Sequence, residues 1–431
     1  MTFQSVERED GDIRRAAGVA RRFALRPPFP LPVLRICDDF PMANQRSLLL
    51  APLRPGSPPL LPRCLAVVLL RVLFLLLWPL CASAVERPAP IPFPTAKPKL
   101  VPVARLGEIH AALQTPHKYG VVLRGEPGEL VDCPAVFRHG GRWFMLYVAN
   151  RDNAGYQTCL ATSDDLLNWK KLGPVLPFRG AAWDAWQAAG APALVDPRWE
   201  GTHELGTYEG RYWLSYLGGA QRGYEPDPLA IGLAHTPDPT APQPWTRLET
   251  NPVLAPEQTD ARDFERVTLY KSTIVRDEAR TLGATFVMLY NGKSRPYGHE
   301  QIGLAVSDDM RTWRRYGEGP VLTNSGAAPW AISGDPQLIR FGDVWVMVYF
   351  GAFWKPGAFD TFAASYDLVH WTKWDGSHLV APSESYDQQF AHKPWVLKHG
   401  GVVYHFYCAV GDQGRVIALA TSVDLRAPRS P

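Results

Sequence analysis

From residue 116 onward, apolar and aromatic residues come in short runs, and the runs come in pairs around a glycine turn. The pattern is written five times: GGRWFMLYVAN (140–150), EGRYWLSYLGG (209–219), GATFVMLYNGK (283–293), GDVWVMVYFGA (342–352) and GGVVYHFYCAV (400–410). Each copy follows another apolar run, which starts near Cys133, Ala191, Lys271, Asp335 or Pro394. β-Branched and aromatic runs on both sides of a glycine turn predict a β-hairpin. A third run then ends at a shared turn: LATSDDLLNW (160–169), LAHTPDP (233–239) with Trp245 later, LAVSDDMRTW (304–313), AASYDLVHW (363–371) and LATSVDL (419–425). Ser and Asp oxygens in such a turn accept bonds from backbone N–H groups two residues on. The Trp that follows is expected between neighbouring sheets. A fourth short run comes next, GPVL at 173–176, NPVL at 251–254 and GPVL at 319–322.

The fifth repeat stops at Leu425, before any Trp or fourth run, while HKYGVVL at 117–123 resembles WKKLGPVL at 169–176. The N-terminal run is therefore expected to complete the fifth sheet. That would remove the two open edges of a linear array. The expectation is all-β: a five-bladed β-propeller of four-stranded antiparallel sheets filling 116–426 as one domain.

The chain before residue 116 reads differently. Residues 1–62 are rich in Arg, Pro and Leu without a period, and are expected to be disordered or an over-long start ahead of Met42. Residues 63–84 place Arg63 and Arg71 before an apolar run ending in Ala82-Ser83-Ala84, a secretory signal pattern. Residues 85–115 are expected to be a Pro-rich linker with a short helix over 103–114. The net charge of +3 comes from the N-terminal part: residues 1–84 carry 11 Arg against 6 acidic residues, and the remainder 34 basic against 36 acidic. The near-neutral body carries no footprint of a nucleic-acid or membrane partner, and no stable membrane insertion is expected once the signal is cleaved. A monomer is expected.

Aromatic content of 11%, with 15 Trp and 16 Tyr, suits both an all-β core and a sugar-binding surface. Of six Cys, Cys37, Cys64 and Cys81 precede the body; Cys133, Cys159 and Cys408 fall in strand-like runs, as buried thiols or one disulfide plus a thiol. There is no metal-type Cys spacing. A structural calcium in the Asx-rich turns is the one cofactor considered, and no EF-hand-like loop is present.

Candidate chemistry lies where the first run of each repeat opens, because those openings converge on one end of a propeller axis. They hold Asp132; Asp184, Trp186 and Gln187; Glu265, Arg266 and Lys271; Trp330 and Asp335; and His392 with Lys393. A charge beside an apolar strand is costly unless paired or used. Five repeats, a secretion signal, these carboxylates and the SxDLxxW turn (SDDLLNW, SDDMRTW, SYDLVHW) resemble the five-bladed propeller glycosidases, glycoside hydrolase families 43, 32, 62, 117 and 130. The resemblance covers about 116–426. It implies an Asp in the first blade, an Asp in the second and a Glu in the third, matched by order by Asp132, Asp184 and Glu265. The Asp-Pro pair typical of the first blade occurs instead at Asp335-Pro336.

The resemblance implies an exo-acting hydrolase of an oligo- or polysaccharide. Asp132 is the expected base and Glu265 the acid, with Asp335 or Asp184 raising the acid's pKa. Blades facing across a channel favour the wider carboxyl spacing of inversion, roughly 6.5–9.5 Å. Trp186, Trp330 and Trp354 are candidate sugar platforms. The cations Arg266, Lys271, His392 and Lys393 raise the alternative of phosphorolysis, as in family 130. A non-catalytic sugar-binding propeller is the third reading.

Overall fold

A computed structural model describes residues 87–324 and 328–426. The signal pattern at 63–84 and the extension at 1–62 lie outside the described residues. The described chain begins with an extended segment and helix α1 (Val103–Leu113), then strand β1 (His117–Leu123). The strands that follow form four-stranded antiparallel meanders. The first is β2 (Glu129–His139), β3 (Arg142–Arg151), β4 (Tyr156–Ser163) and β5 (Lys170–Leu176). The second is β6 (Gln187–Pro192), β7 (Tyr212–Gly219), β8 (Ala230–Thr236) and β9 (Thr246–Arg247). The third is β10 (Thr268–Arg276), β11 (Phe286–Lys293), β12 (Glu300–Ser307) and β13 (Arg314–Tyr316). The fourth is β14 (Ile332–Phe341), β15 (Val344–Ala352), β16 (Ala358–Ser365) and β17 (Thr372–Lys373). The last is β18 (Phe390–His399), β19 (Val402–Gly411) and β20 (Gly414–Thr421), and β1 is its fourth strand, with His117 opposite Thr421.

Period-two alternation explains how these units pack. On β3, Trp143, Met145 and Tyr147 face the last unit, where they meet Trp395, Phe406 and Leu419. Phe144 and Leu146 face the second unit, meeting Leu214 and Tyr216. On β11, Phe286, Met288 and Tyr290 pack toward the second unit and Val287 and Leu289 toward the fourth. On β15, Val344, Val346 and Val348 pack against Val396 and Val403 of the last unit. Each unit is thus apolar on both faces and shares an apolar cluster with the next. The last unit does the same with the first.

The shared turn forms as its sequence predicts. Ser163 Oγ accepts the Leu166 N–H at 3.0 Å, Asp165 Oδ1 accepts the Asn168 N–H at 2.8 Å, and Trp169 donates to the Leu166 carbonyl at 3.1 Å. The Asp and Trp bonds recur at Asp309, Met310 and Trp313, and at Asp367, Leu368 and Trp371. Trp169 packs in the cluster between first and last units and Trp313 in that between second and third. Cys133, Cys159 and Cys408 are buried free thiols.

The stretch read as a linker is instead held along the third unit. The Ile91 N–H donates to the Arg315 carbonyl at 2.9 Å, Arg87 pairs with Asp260 at 3.2 Å, and the Phe93 ring fills the space beside Gly317. Leu106, Ile109 and Leu113 of α1 are buried against the fourth and last units. A second long segment, 193–206, crosses the far ends of the first strands. It bonds to Ile274 of β10, Arg138 of β2 and Arg340 of β14, and His203 bonds the Lys398 carbonyl of β18. The first strands are therefore tied together at one end and open at the other.

Candidate active site

At the open end lies a cavity of about 320 Å³. Its polar lining is Glu225, Lys271, Asn291, Glu300, Asp335, His392, Lys393 and Arg415, with Cys133, Tyr224 and Tyr270. Backbone bulges place several of these groups. Pairing slips between Asp132 and Ala135, Leu269 and Ser272, Gly334 and Gln337, and His392 and Trp395. In three of these bulges the extra residue is left-handed: Cys133 at φ 50°, Asp335 at φ 50° and Lys393 at φ 62°, each followed by proline. A bulge bends the strand and re-aims a side chain, and strained non-glycine residues collect at functional sites. The bulges also correct the register expected between repeats. Cys133, Asp335 and Lys393 are equivalent, whereas Asp132 is equivalent to His392.

Asp132, unlike His392, is absent from the cavity lining and is fully buried. It accepts from Lys393 at 2.9 Å, Arg415 at 2.9 Å and Tyr156 at 3.1 Å. Burial pushes its carboxyl up, but Lys393 and Arg415 outweigh burial and hold it well below the usual range. His392 presents Nδ1 to the Cys408 carbonyl at 3.1 Å. Burial, with Arg415 and Lys393 nearby, lowers it to about 3, so the ring is neutral with Nε2 as its acceptor. Lys271 lies 3.9 Å from Asp335 Oδ2.

The remaining expected site residues are elsewhere. Glu265 is fully buried between arginines: Arg315 donates to it at 2.7 Å and Arg262 at 3.1 Å, with Tyr290 on its other oxygen. Burial raises its pKa, but Arg262 and Arg315 bring it below the ordinary value. Asp184 is buried against Arg247 at 2.8 Å and accepts from Tyr216 at 2.9 Å. Both are turn-and-core carboxylates outside the cavity lining. Arg266 is exposed beside Asp263. Trp186 stacks under Arg222 at 3.9 Å, and Trp354 donates to the Ile332 carbonyl at 2.8 Å with its edge on Phe359. Trp330 is 59% exposed just before Ile332. Gln187 is buried and works indirectly. It holds the Gln221 and Gly223 carbonyls at 2.9 and 3.1 Å, fixing the loop that carries Tyr224 and Glu225.

Sequence reasoning missed Glu225, Asn291, Glu300 and Arg415. They come from the β7–β8 loop, the end of β11 and the openings of β12 and β20, not from first strands. The signal was available: Glu300 and Arg415 each directly precede an apolar run, QIGLAV and VIALA. Glu300 accepts one bond, from Asn291 Nδ2 at 2.8 Å. Burial raises its pKa to about 7, with Glu225 and Asp335 adding to the rise against Asn291 and Lys293. Glu225 is raised too, first by burial and then by Asp132 and Asp335, against Lys393. The cavity thus sets two carboxyls that resist ionisation beside three cations that contact Asp132 and Asp335. Among the described residues no cluster of His, Cys, Asp and Glu is arranged to hold a metal ion, and no helix is long and apolar enough to cross a membrane.

The chain as a whole is similar to known proteins. A solved structure described as a BT0996 RGII complex is 45% identical, with a TM-score of 0.73, over 76% of this chain and 97% of that one. Another, described as a glycoside hydrolase, is 44% identical at TM-score 0.73 over 77% and 98%. A thermostable family-43 glycoside hydrolase shares the β-propeller fold at 16% identity and TM-score 0.52, over 70% and 96%. The uncharacterized protein Rv1502 of Mycobacterium tuberculosis is 30% identical over 129 residues, 28% of this chain, and the chain matches only 42% of that protein's length. No family model matches the chain.

Proposed function

The chain belongs to the glycoside hydrolases, and from that premise we propose that it removes a terminal sugar from an oligo- or polysaccharide, with Glu300 as general acid. The carrying observation is the cavity carboxyl with a pKa of about 7, held by a single neutral partner. A general acid works best with a pKa near the operating pH. Glu225 is the second carboxyl, activating water or attacking the anomeric carbon as the proton passes from Glu300 to the departing glycosidic oxygen. Asn291 Oδ1 is buried without a hydrogen-bond partner, an acceptor for a sugar hydroxyl.

Exo-action is supported by the cavity's size and its tied-off far end. About 320 Å³ lies at the small end of ligand pockets, roughly 300–1,000 Å³, room for one sugar ring and not for a passing polymer. Five units with a shared cluster at every junction support the reading of a closed five-bladed ring. Lys393 and Arg415 share the single carboxylate of Asp132, and Lys271 faces Asp335, so one positive charge is left over at the wall and the phosphate arm of the assay below separates hydrolysis from phosphorolysis. Inversion was expected from a facing Asp132–Glu265 pair. Glu225 and Glu300 come from neighbouring units, so the anomer first released, read by proton NMR, decides the stereochemistry. Export on the 63–84 signal completes the reading: a secreted monomer.

The likeness to the BT0996 RGII complex makes an RGII oligosaccharide the first substrate to test. Purified protein is incubated with it and with a panel of aryl glycosides, with and without phosphate. Phosphate-independent release of a monosaccharide, abolished by Glu300→Gln, is expected. Undiminished release by that variant would sink the assignment.

A further inference from the structure

The exposed large aromatics among the described residues are Tyr224, Tyr297, Trp330 and Phe353. Tyr224 and Phe353 line the cavity. Tyr297 and Trp330 sit at the junction where β12 runs beside β14, with Glu300 paired to Ile332. Soluble proteins scatter single apolar residues over their surface, but here two of the four line the cavity and the other two flank the strand junction whose residues Glu300 and Ile332 line it.

Trp330 is held exposed by its surroundings. Its N–H donates to the Tyr297 carbonyl at 2.9 Å, and the Glu300 N–H donates to the Ala331 carbonyl at 3.0 Å. Its backbone is left-handed, φ 63°, which a bulky side chain rarely adopts. Its indole lies on Gly298, where a Cβ would come within 2.2 Å of two ring carbons. The ring therefore rests on bare backbone. A side chain that served only the core would turn inward; this one carries backbone strain to stay out.

Glu300 sets the side of the bond. A general acid gives its proton to the glycosidic oxygen, and that oxygen leaves with the outgoing sugar. Groups fixed to the same strand junction as the acid stand on the leaving-group side. We propose that Trp330, flanked by Tyr297, is the platform on which the leaving sugar stacks, a ring presenting a C–H face one residue beyond the scissile bond. This rests on the reading of Glu300 as the acid.

The test compares two substrates with Trp330→Ala: the RGII oligosaccharide, the substrate proposed above, and the glycosyl fluoride of the sugar released from it, whose leaving group has no ring. A stacked ring predicts a loss of about tenfold in kcat/KM on the oligosaccharide, with the fluoride unchanged within twofold and Trp330→Phe largely restoring the loss. Equal losses on both substrates, or no loss on either, overturn the platform. Titration calorimetry of the RGII oligosaccharide against E300Q, and against E300Q with Trp330→Ala, reads the platform without catalysis. Weaker binding to the double variant supports it and equal binding overturns it. Full activity of E300Q would instead fault the acid assignment while the calorimetry still judged Trp330.

Discussion

Two glutamates of the third unit stand a short way apart in sequence and behave oppositely. Glu265 is enclosed by Arg262, Arg315 and Tyr290, and its pKa falls below the ordinary value. Glu300 faces the cavity with Asn291 as its one hydrogen-bond partner, and its pKa rises to about 7. Burial alone would keep the fully buried Glu265 the more neutral of the two and the partly buried Glu300 the more ionised; the partners reverse that order. Two guanidiniums turn a buried carboxylate into a structural anion, while one amide leaves a carboxyl that can carry a proton at neutral pH.

The largest expected effect is on catalysis. Glu300→Gln keeps the shape and the Asn291 contact but holds no transferable proton, so kcat/KM on the RGII oligosaccharide should fall about 10²–10⁴-fold. Far-UV circular dichroism should remain native. Glu265→Gln should do the reverse. It leaves Arg262 without its carboxylate and Arg315 with Asp260 alone, costing up to about 3–5 kcal/mol of stability as for other broken buried pairs. Thermal melting should show the drop, while activity per folded molecule stays within a few-fold. If Glu265→Gln melts like the wild type but is inactive, the two roles are exchanged.

Asp132→Asn extends the structural side of the comparison. It strands Lys393 and Arg415 in the wall, and a similar loss of about 3–5 kcal/mol is expected. Its linkage has the opposite sign to that of Glu300. The Asp132 pKa is depressed by folding, so its contribution is present above the unfolded value and is lost as pH falls through the folded one. The Glu300 pKa is raised, so its contribution is present below the unfolded value of about 4.3 and is lost as pH climbs toward about 7. Denaturant melts across pH should therefore show E300Q gaining on the wild type between about pH 4.3 and about pH 7, with no further gain above it. In the wild type, kcat/KM should decline above about pH 7 as the acid ionises.

The fold was legible because its period is simple. Trp143, Met145 and Tyr147 alternate with Phe144 and Leu146 in the sequence and on the two faces of β3. The SxDLxxW turn is local chemistry, and its bonds form within a few residues of each other. The closing strand could be read at 117–123 because its repeat was missing from the other end. The site was less legible. Lys271, Asp335, His392 and Lys393 were found because they open first strands. The bulges then shifted the register by one residue, putting Cys133 at the wall, while Asp132 is absent from the lining. Glu225 and Glu300 escaped because a loop and a third strand bring them in from the side. Glu265 and Asp184 looked catalytic because Arg315 and Arg247 lie 50 and 63 residues further along the chain, although Arg262, three residues before Glu265, was a partner within local reach. The distant half of each pairing leaves no local mark.

The smallest expected effect tests the single bond that distinguishes Glu300 from Glu265. The Asn291 amide donates to the ionised carboxylate and holds its pKa down against burial and Glu225. Asn291→Ala removes that donor and adds no charge. The alkaline limb of the kcat/KM profile should then move to higher pH, by a fraction of a unit to about one unit. The rate at the optimum should fall only a few-fold, because the acid is less firmly aimed. A limb that moves to lower pH would mean that the amide bonds the protonated form. An unmoved limb would assign the titration to Glu225, whose raised pKa owes nothing to Asn291.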